Sequence, residues 1–355
     1  GKRFCESRCD PSGAFRQGNR SKGHKGRNRL DMSITKKWLA FCLAVCMIMP
    51  LVAGCGEIAT KKEDGKLHIV TTVFPYYDFA KQIGGDRVSV DLIVPAGMDT
   101  HSFEPTAKDM VTIGEADVFI YNGGTMESWV PKVLEAAEGK NITTLRMMDH
   151  VKVVDEEIVE GMQEEEHEHA DGDHDDAEET EQDEHIWTAP LNCVKLVDEI
   201  ADALAKADPD HSQEYLNRAE QYTAQLKDLD MQIRQIVAGA KHKEMVFGDR
   251  FPLRYFTDAY GLTYRAAFPG CSSDMEPSAD TIAYLIDRIK QQHISVVLQV
   301  EMSSSKVADT IAEATGAKVE TYQSCHTVSK KQFDAGVTYL SLMQENLQVL
   351  KDCLN

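Results

Sequence analysis

Between Glu164 and Trp187 the chain reads EEEHEHADGDHDDAEETEQDEHIW. His167, His169 and His174 stand among carboxylates with no Lys or Arg between them, and a fourth imidazole, His185, directly precedes Ile186 and Trp187. Neutral imidazole together with carboxylate suits a borderline divalent ion such as Zn²⁺ better than Mg²⁺. The run cannot bury a core and its like charges repel, so up to Glu184 it predicts a solvated, mobile loop, read either as a metal collector or as a solubilising segment. Its position, leading straight into His185, favours metal. Two more histidines occupy strand-exit loops: His101 in PAGMDTHSFEP and His326 in TYQSCHTVSKK. A lone loop histidine is ordinarily a solvent-facing residue, and several at corresponding positions in an acidic chain weaken that reading. No paired CxxC motif is present, and His167-Glu168-His169 has the wrong spacing for an HExxH helix. A local structural zinc signature and a metalloprotease are therefore not written in the chain. Only a fold can bring these histidines together.

The elements that would position them alternate. Apolar, β-branched runs at Leu67–Phe74, Val88–Val94, Asp117–Tyr121 and Ile142–Leu145 are separated by helical periodicity. A second set follows at Met245–Phe247, Thr263–Phe268, Ser295–Val300 and Lys318–Tyr322. Such alternation predicts an α/β fold of two similar lobes, each a parallel β-sheet with flanking helices. Between the sets Pro190 suits a first helical turn, with Val194, Val197, Ile200, Ala201 and Leu204 at helical spacing until Asp208-Pro209. From about His211 the residues Tyr215, Ala219, Tyr222, Leu226, Leu229, Ile233 and Ile236 form one apolar stripe along a helix of roughly 40 Å, expected to pack across both lobes as a stiff bridge. An internal echo supports two lobes: Pro95-Ala-Gly97 leads to Glu104-Pro105-Thr106, and Pro269-Gly270 leads to Glu276-Pro277-Ser278, with Thr106 and Ser278 placed to cap the next helix. The expected layout is an N-terminal lobe at 67–209 carrying the acidic loop 155–184, a linking helix at 210–241 and a C-terminal lobe at 242–355.

The chain has 355 residues, 42% of them hydrophobic, and a formal charge of −20. Residues 1–54 are basic, so the remainder carries 27 basic against 55 acidic side chains, a net of −28. Nothing there would neutralise phosphates, which argues against a nucleic-acid partner. Met32 to Lys37 followed by WLAFCLAVCMIMPLVAG reads as a signal peptide over 32–54, too short and Pro-interrupted for a membrane span. It ends in Leu51-Val52-Ala53-Gly54-Cys55, which resembles a bacterial lipobox. That resemblance implies lipidation of Cys55, an extracytoplasmic protein anchored to the cell membrane, and a tether over 55–66. Residues 1–31 are taken as upstream sequence outside the functional protein. Of the cysteines beyond the anchor, Cys271 and Cys325 both fall on loops after strands of the second half and are the candidate disulfide; a free thiol or a thiolate ligand is the alternative for either.

Three stretches, TTVFPYYDFAKQIGGDRVSVDLIVPAGMDTHSFEPTAKDM, DEHIWTAPLNCVKLVDEIADAL and GAKVETYQSCHTVSKKQFDAGVTYLSLMQENLQVL, are similar to the zinc and manganese solute-binding lipoproteins of ABC importers, in particular their zinc-uptake branch. The resemblance covers most of Leu67–Asn355 apart from the acidic loop. It implies two α/β lobes bridged by a long helix and a non-enzymatic monomeric receptor. One divalent cation would lie between the lobes and pass to a membrane permease and, through it, to an ATPase. Carried residue by residue it makes His101 and His185 metal ligands. The second lobe departs from the pattern: Phe247-Gly248-Asp249-Arg250 stands where many relatives have a His-Asp pair, and Gln323 with His326 nearby stands where manganese-type relatives have Asp. His326 is then expected as third imidazole and Asp249 as carboxylate ligand, with Glu301 the substitute if Asp249 pairs with Arg250 instead. Such a set favours Zn²⁺ as the transported ligand over Mn²⁺, with His167, His169 and His174 as auxiliary capture sites. The rival readings are a manganese receptor, a surface adhesin-type lipoprotein and an exported zinc hydrolase.

Overall fold

Each half of the molecule builds the same sheet. In the computed structural model, which describes residues 65–163, 181–270 and 276–355, the first half runs β1 (Leu67–Thr71), α1 (Phe74–Gly84), β2 (Val88–Leu92), α2 (Ala107–Gly114), β3 (Val118–Tyr121), α3 (Val130–Ala136) and β4 (Thr143–Arg146). Its strands are all parallel in the order β2-β1-β3-β4. Two helices follow, α4 (Pro190–Ala207) and α5 (Ser212–Ala238). The second half runs β5 (Glu244–Phe251), α6 (Arg254–Tyr260), β6 (Thr263–Pro269), α7 (Ala279–Gln292), β7 (Val296–Val300), α8 (Lys306–Thr315), β8 (Lys318–Tyr322), α9 (Lys330–Asp334) and α10 (Tyr339–Cys353). The order there is β6-β5-β7-β8, again all parallel. The α/β two-lobe architecture expected from the alternation is thus the one observed. The signal segment 32–54, Cys55, the loop histidines His167, His169 and His174, and Cys271 lie outside the described residues.

Both faces of each sheet are covered, and the period-2 side-chain alternation of a strand divides the work. Ile69 faces the central core while its neighbour Val70 joins Phe119, Ile93 and Ile113 on the outer face. In the second sheet Met245 and Phe247 face the centre and Val246 joins Val297, Leu285 and Ile289 outside. The central cluster is continuous from Ile69 through Trp187, Leu226 and Phe256 to Leu354, so one apolar core spans both lobes. Helix α5 makes that continuity. Its 27 residues measure about 40 Å at 1.5 Å each; Tyr215, Ala219, Tyr222, Leu226, Leu229 and Ile233 are buried and Ile236 half-buried. Burying a Leu or Ile contributes about 1.5–3 kcal/mol, so freeing this stripe to let the lobes swing apart would cost several such terms.

A buried carboxylate ties the bridge to both halves. Asp78 on α1 accepts from Tyr222 Oη on α5 at 3.2 Å and from the Tyr339 backbone N–H at the start of α10 at 2.8 Å. A negative group suits a helix N-terminus. The loops that leave β2 and β6 end in matching caps: Thr106 accepts from Asp109 N–H and Ser278 from Thr281 N–H, as the echo predicts. These loops and those after β7 and β8 lie at the carboxyl ends of the strands, where open α/β sheets hold ligands.

Candidate metal centre

His101, His185 and His326 meet. One ligand nitrogen from each lies within 4.8 Å of the other two, and the ring centroids are 6.0, 5.5 and 5.4 Å apart. Three nitrogens on a tetrahedral Zn²⁺ at about 2.0–2.1 Å would be about 3.3 Å apart. The three nitrogens thus lie within about 1.5 Å of the separations that one ion would impose.

The same local device seats all three. His101 N–H donates to Asp99 Oδ1 at 3.0 Å, His185 N–H to Asp183 Oδ1 at 2.8 Å, and His326 N–H to Ser324 Oγ at 3.3 Å. In each case a short polar side chain two residues upstream accepts the histidine amide and folds the backbone into a tight turn. Asp183 also faces His185 Nδ1 at 3.3 Å, which fixes the ring and leaves Nε2 without a protein partner in a fully buried ring. His101 Nε2 is likewise buried and unpartnered. Unmatched buried nitrogens are costly, and a cation is the group that would satisfy both.

Trp187 backs the site. Its ring lies 5.6 Å from that of His185 and 5.3 Å from that of His326, and its Nε1–H donates across the lobes to Ser324 O at 3.0 Å. Thr100, buried beside His101, sets its hydroxyl 2.6 Å from His326 Nε2. A hydroxyl can give or take the proton, so this contact fits either tautomer and holds the ring across the seam. Asp99 does the same for the backbone: while one oxygen seats His101, the other binds Arg250 at 2.7 Å.

The imidazoles differ in charge. Burial, reinforced by the neighbouring His185, pulls His101 down to about 4. Burial and then the other two histidines hold His326 well below the usual range. Burial acts on His185 too, but the charge and hydrogen bond of Asp183 outweigh it and raise the net value. Two donors are thus neutral at physiological pH, and the third is held by an aspartate that stabilises positive charge on it, whether proton or metal.

The expected carboxylates do not join. Asp249 accepts from Val300 N–H at 2.9 Å, Ser303 Oγ at 3.1 Å and Arg250 N–H at 2.8 Å. It fastens the end of β5 to the loop after β7, and among the described residues it lies outside the histidine group. Arg250 does not form the supposed ion pair with Asp249; its partner is Asp99 of the other lobe. Glu301 accepts from Ser324 N–H and Oγ at 2.6 and 2.7 Å and from His326 N–H at 3.0 Å, so it shapes the His326 loop. The candidate disulfide is also corrected: Cys325 is a free, fully buried thiol, pushed well above the usual range by burial, and Cys271 lies outside the described residues. Finally, the acidic run is not solvated up to Glu184. Asp183 and Glu184 are each 1% exposed, because the run's end is stitched back through Glu156 N–H to Glu181 O and Asp183 N–H to Val154 O, and Glu184 accepts from Thr125 Oγ1 and Met126 N–H. Sequence reading missed Asp99, Thr100, Asp183 and Trp187; the repeated Asp-x-His spacing at 99–101 and 183–185 was the signal available.

Two parallel sheets of one topology, a stiff helix across both, and imidazoles meeting at the strand ends where the halves face each other define a two-lobed solute-binding protein. The chain belongs to the family described as zinc-uptake complex component A, periplasmic (ZnuA), which it matches over residues 69–353. It is 37% identical over 324 residues to the high-affinity zinc uptake system protein ZnuA of Bacillus subtilis (strain 168), covering 90% of this chain and 98% of that protein. It is 34% identical over 318 residues to the zinc-binding lipoprotein AdcA of Streptococcus pneumoniae, covering 89% of this chain but only 60% of AdcA. The Zn(II)-bound ZnuA-like domain of S. pneumoniae AdcA superposes with a TM-score of 0.67 at 31% identity, over 82% of this chain and 99% of that domain. The family is one of zinc receptors rather than of enzymes.

Proposed function

We propose that this chain is the extracytoplasmic zinc receptor of an ABC importer, holding Zn²⁺ on His101, His185 and His326 and delivering it to a membrane permease driven by an ATPase. The observation that carries the reading is the convergence of three imidazoles, two with buried unpartnered nitrogens, at the carboxyl ends of parallel strands. An all-imidazole protein set favours Zn²⁺ over Mn²⁺, which prefers oxygen donors. Family membership supports the importer role. The lipobox-like run supports lipid anchoring through Cys55, and the receptor acts as a monomer. His167, His169 and His174 serve as auxiliary collectors that pass the ion inward.

Elemental analysis and competitive titration of the whole chain test this. One tight Zn²⁺ per chain is expected. It should persist when residues 164–180 are deleted, with weaker additional binding lost. A chain that holds no zinc tightly, or holds it only through 164–180, refutes the reading.

A further inference from the structure

Three points of one loop cross to the other lobe. In the segment between β2 and α2, Gly97 N–H donates to Thr327 Oγ1 at 3.2 Å, Thr100 Oγ1 meets His326 Nε2 at 2.6 Å, and Asp99 Oδ2 accepts from Arg250 at 2.7 Å. The third crossing is an ion pair between half-buried side chains, and a hydrogen bond between ionised partners is stronger than one between neutral groups. The same carboxylate seats His101 through its other oxygen. Arg250 therefore reaches a metal ligand through one intervening side chain.

The imidazole site is not held evenly. His185 and Trp187 are fully buried. Tyr255 Oη donates across the lobes to Asp183 O at 2.7 Å, and Trp187 Nε1–H donates to Ser324 O. Moving His185 would break into the core that α5 spans. His101 sits instead at the end of a loop whose Pro95, Gly97 and Met98 are exposed. That loop is the side of the site that opens at least cost, since few buried apolar contacts hold it.

Strand β5 is shaped to aim Arg250 at this loop. Phe247 and Arg250 pair with Ala266 and Phe268, so β5 holds one residue more than β6 over that stretch, and such a bulge turns the side chain that follows it. Glycine is required at 248, where a Cβ would lie 2.7 Å from Ala308 Cα on α8. Asp249 is engaged by Val300 N–H and Ser303 Oγ, and Glu301 by Ser324 and His326. Among the described residues Asp99 is thus the carboxylate within ion-pair distance of Arg250.

We propose that Arg250 is a positioning residue for zinc: acting through Asp99, it holds the His101 turn shut over the bound ion and sets the rate at which the ion leaves. This rests on the zinc-receptor reading and deepens it, naming the contact that must part before delivery. The guanidinium is itself a cation and takes no place on the metal.

Release of zinc from the whole chain to excess chelator, followed by stopped flow beside equilibrium competition, tests it. Arg250→Met should release zinc about 10-fold faster, the lower end of the usual cost of losing a group behind a metal ligand, with association changed far less. Asp99→Asn keeps an oxygen for His101 N–H and should release zinc as fast as Arg250→Met. The double variant should be no faster than either, because both remove one contact. Arg250→Lys, which keeps a charge for Asp99, should recover most of the loss. Unchanged or slower release from Arg250→Met overturns the latch and leaves the receptor reading standing. So does a double variant in which the two effects multiply, or an Arg250→Lys chain as fast as Arg250→Met. A parent chain that retains no zinc overturns the receptor reading, and the latch with it.

Discussion

Glu301→Gln separates a ligand from a residue that shapes a ligand's loop. One carboxylate oxygen takes Ser324 Oγ–H and His326 N–H, and the other takes Ser324 N–H. A glutamine can keep its carbonyl on the first pair, but its NH₂ then faces the buried Ser324 N–H, donor against donor. Leaving a buried donor unsatisfied costs about 1–3 kcal/mol. In a chain of this size that lowers the melting temperature by several degrees, at about 2–4 °C per kcal/mol. The strain falls on the turn that presents His326, so zinc affinity should drop about 10–100-fold, the usual cost of losing a group behind a metal ligand. Zinc competition titration, thermal melting and the visible spectrum of the Co²⁺-substituted protein read the three effects together. The expected outcome is lower stability, weaker zinc and an unchanged Co²⁺ spectrum. A spectrum that loses an oxygen donor, with stability intact, would show that Glu301 binds the metal and would refute the reasoning.

His101→Ala and His185→Ala should each abolish tight zinc and with it the metal-induced rise in melting temperature, since ligand stabilisation follows occupancy; zinc-dependent melting checks this, and an unchanged rise in either variant removes that histidine from the site. Thr100→Val keeps the shape but loses the hydroxyl 2.6 Å from His326 Nε2, and zinc affinity should fall roughly 10-fold, measured by the same competition assay. Glu127 is 1% exposed and burial lifts its carboxyl to about 7. Its pKa being raised on folding, its contribution is full below about 4.5 and lost as the pH climbs through about 7. Glu127→Gln should therefore gain stability relative to the parent at pH 8, by up to about 3 kcal/mol, and gain little at pH 4. Urea unfolding at the two pH values reads the difference, and equal effects at both would show that Glu127 is not buried as a strained carboxylate.

Much of the fold was legible because it is local. The strand runs, Pro190 at the head of α4, the stripe along α5 and the hydroxyl caps at Thr106 and Ser278 each follow from periodicity or end chemistry within one segment. The mobile-loop expectation went too far at its end because composition cannot see a partner: Glu184 looks like one more solvated acid, yet it meets Thr125 and Met126, 59 and 58 residues away. The disulfide expectation failed for a similar reason, since loop position does not say which way a thiol points, and Cys325 points into the core.

By itself the sequence determined which imidazoles were available and how the amides of His101 and His185 are held, because an aspartate two residues before each histidine makes its turn within one segment, whereas the turn at His326 also needs Glu301 from the loop after β7. It also determined two sheets of one kind and a stiff rod between them. Only the tertiary structure decided which charged groups touch. Asp249 and Glu301 had the chemistry of ligands, but neighbouring N–H and hydroxyl groups took their lone pairs, and Arg250 passed over the adjacent Asp249 for Asp99 on the other lobe. Hydrogen bonds and contact ion pairs need their atoms within a few ångströms of each other, so their partners are set by the packing of distant segments, a quantity that no single stretch of chain contains.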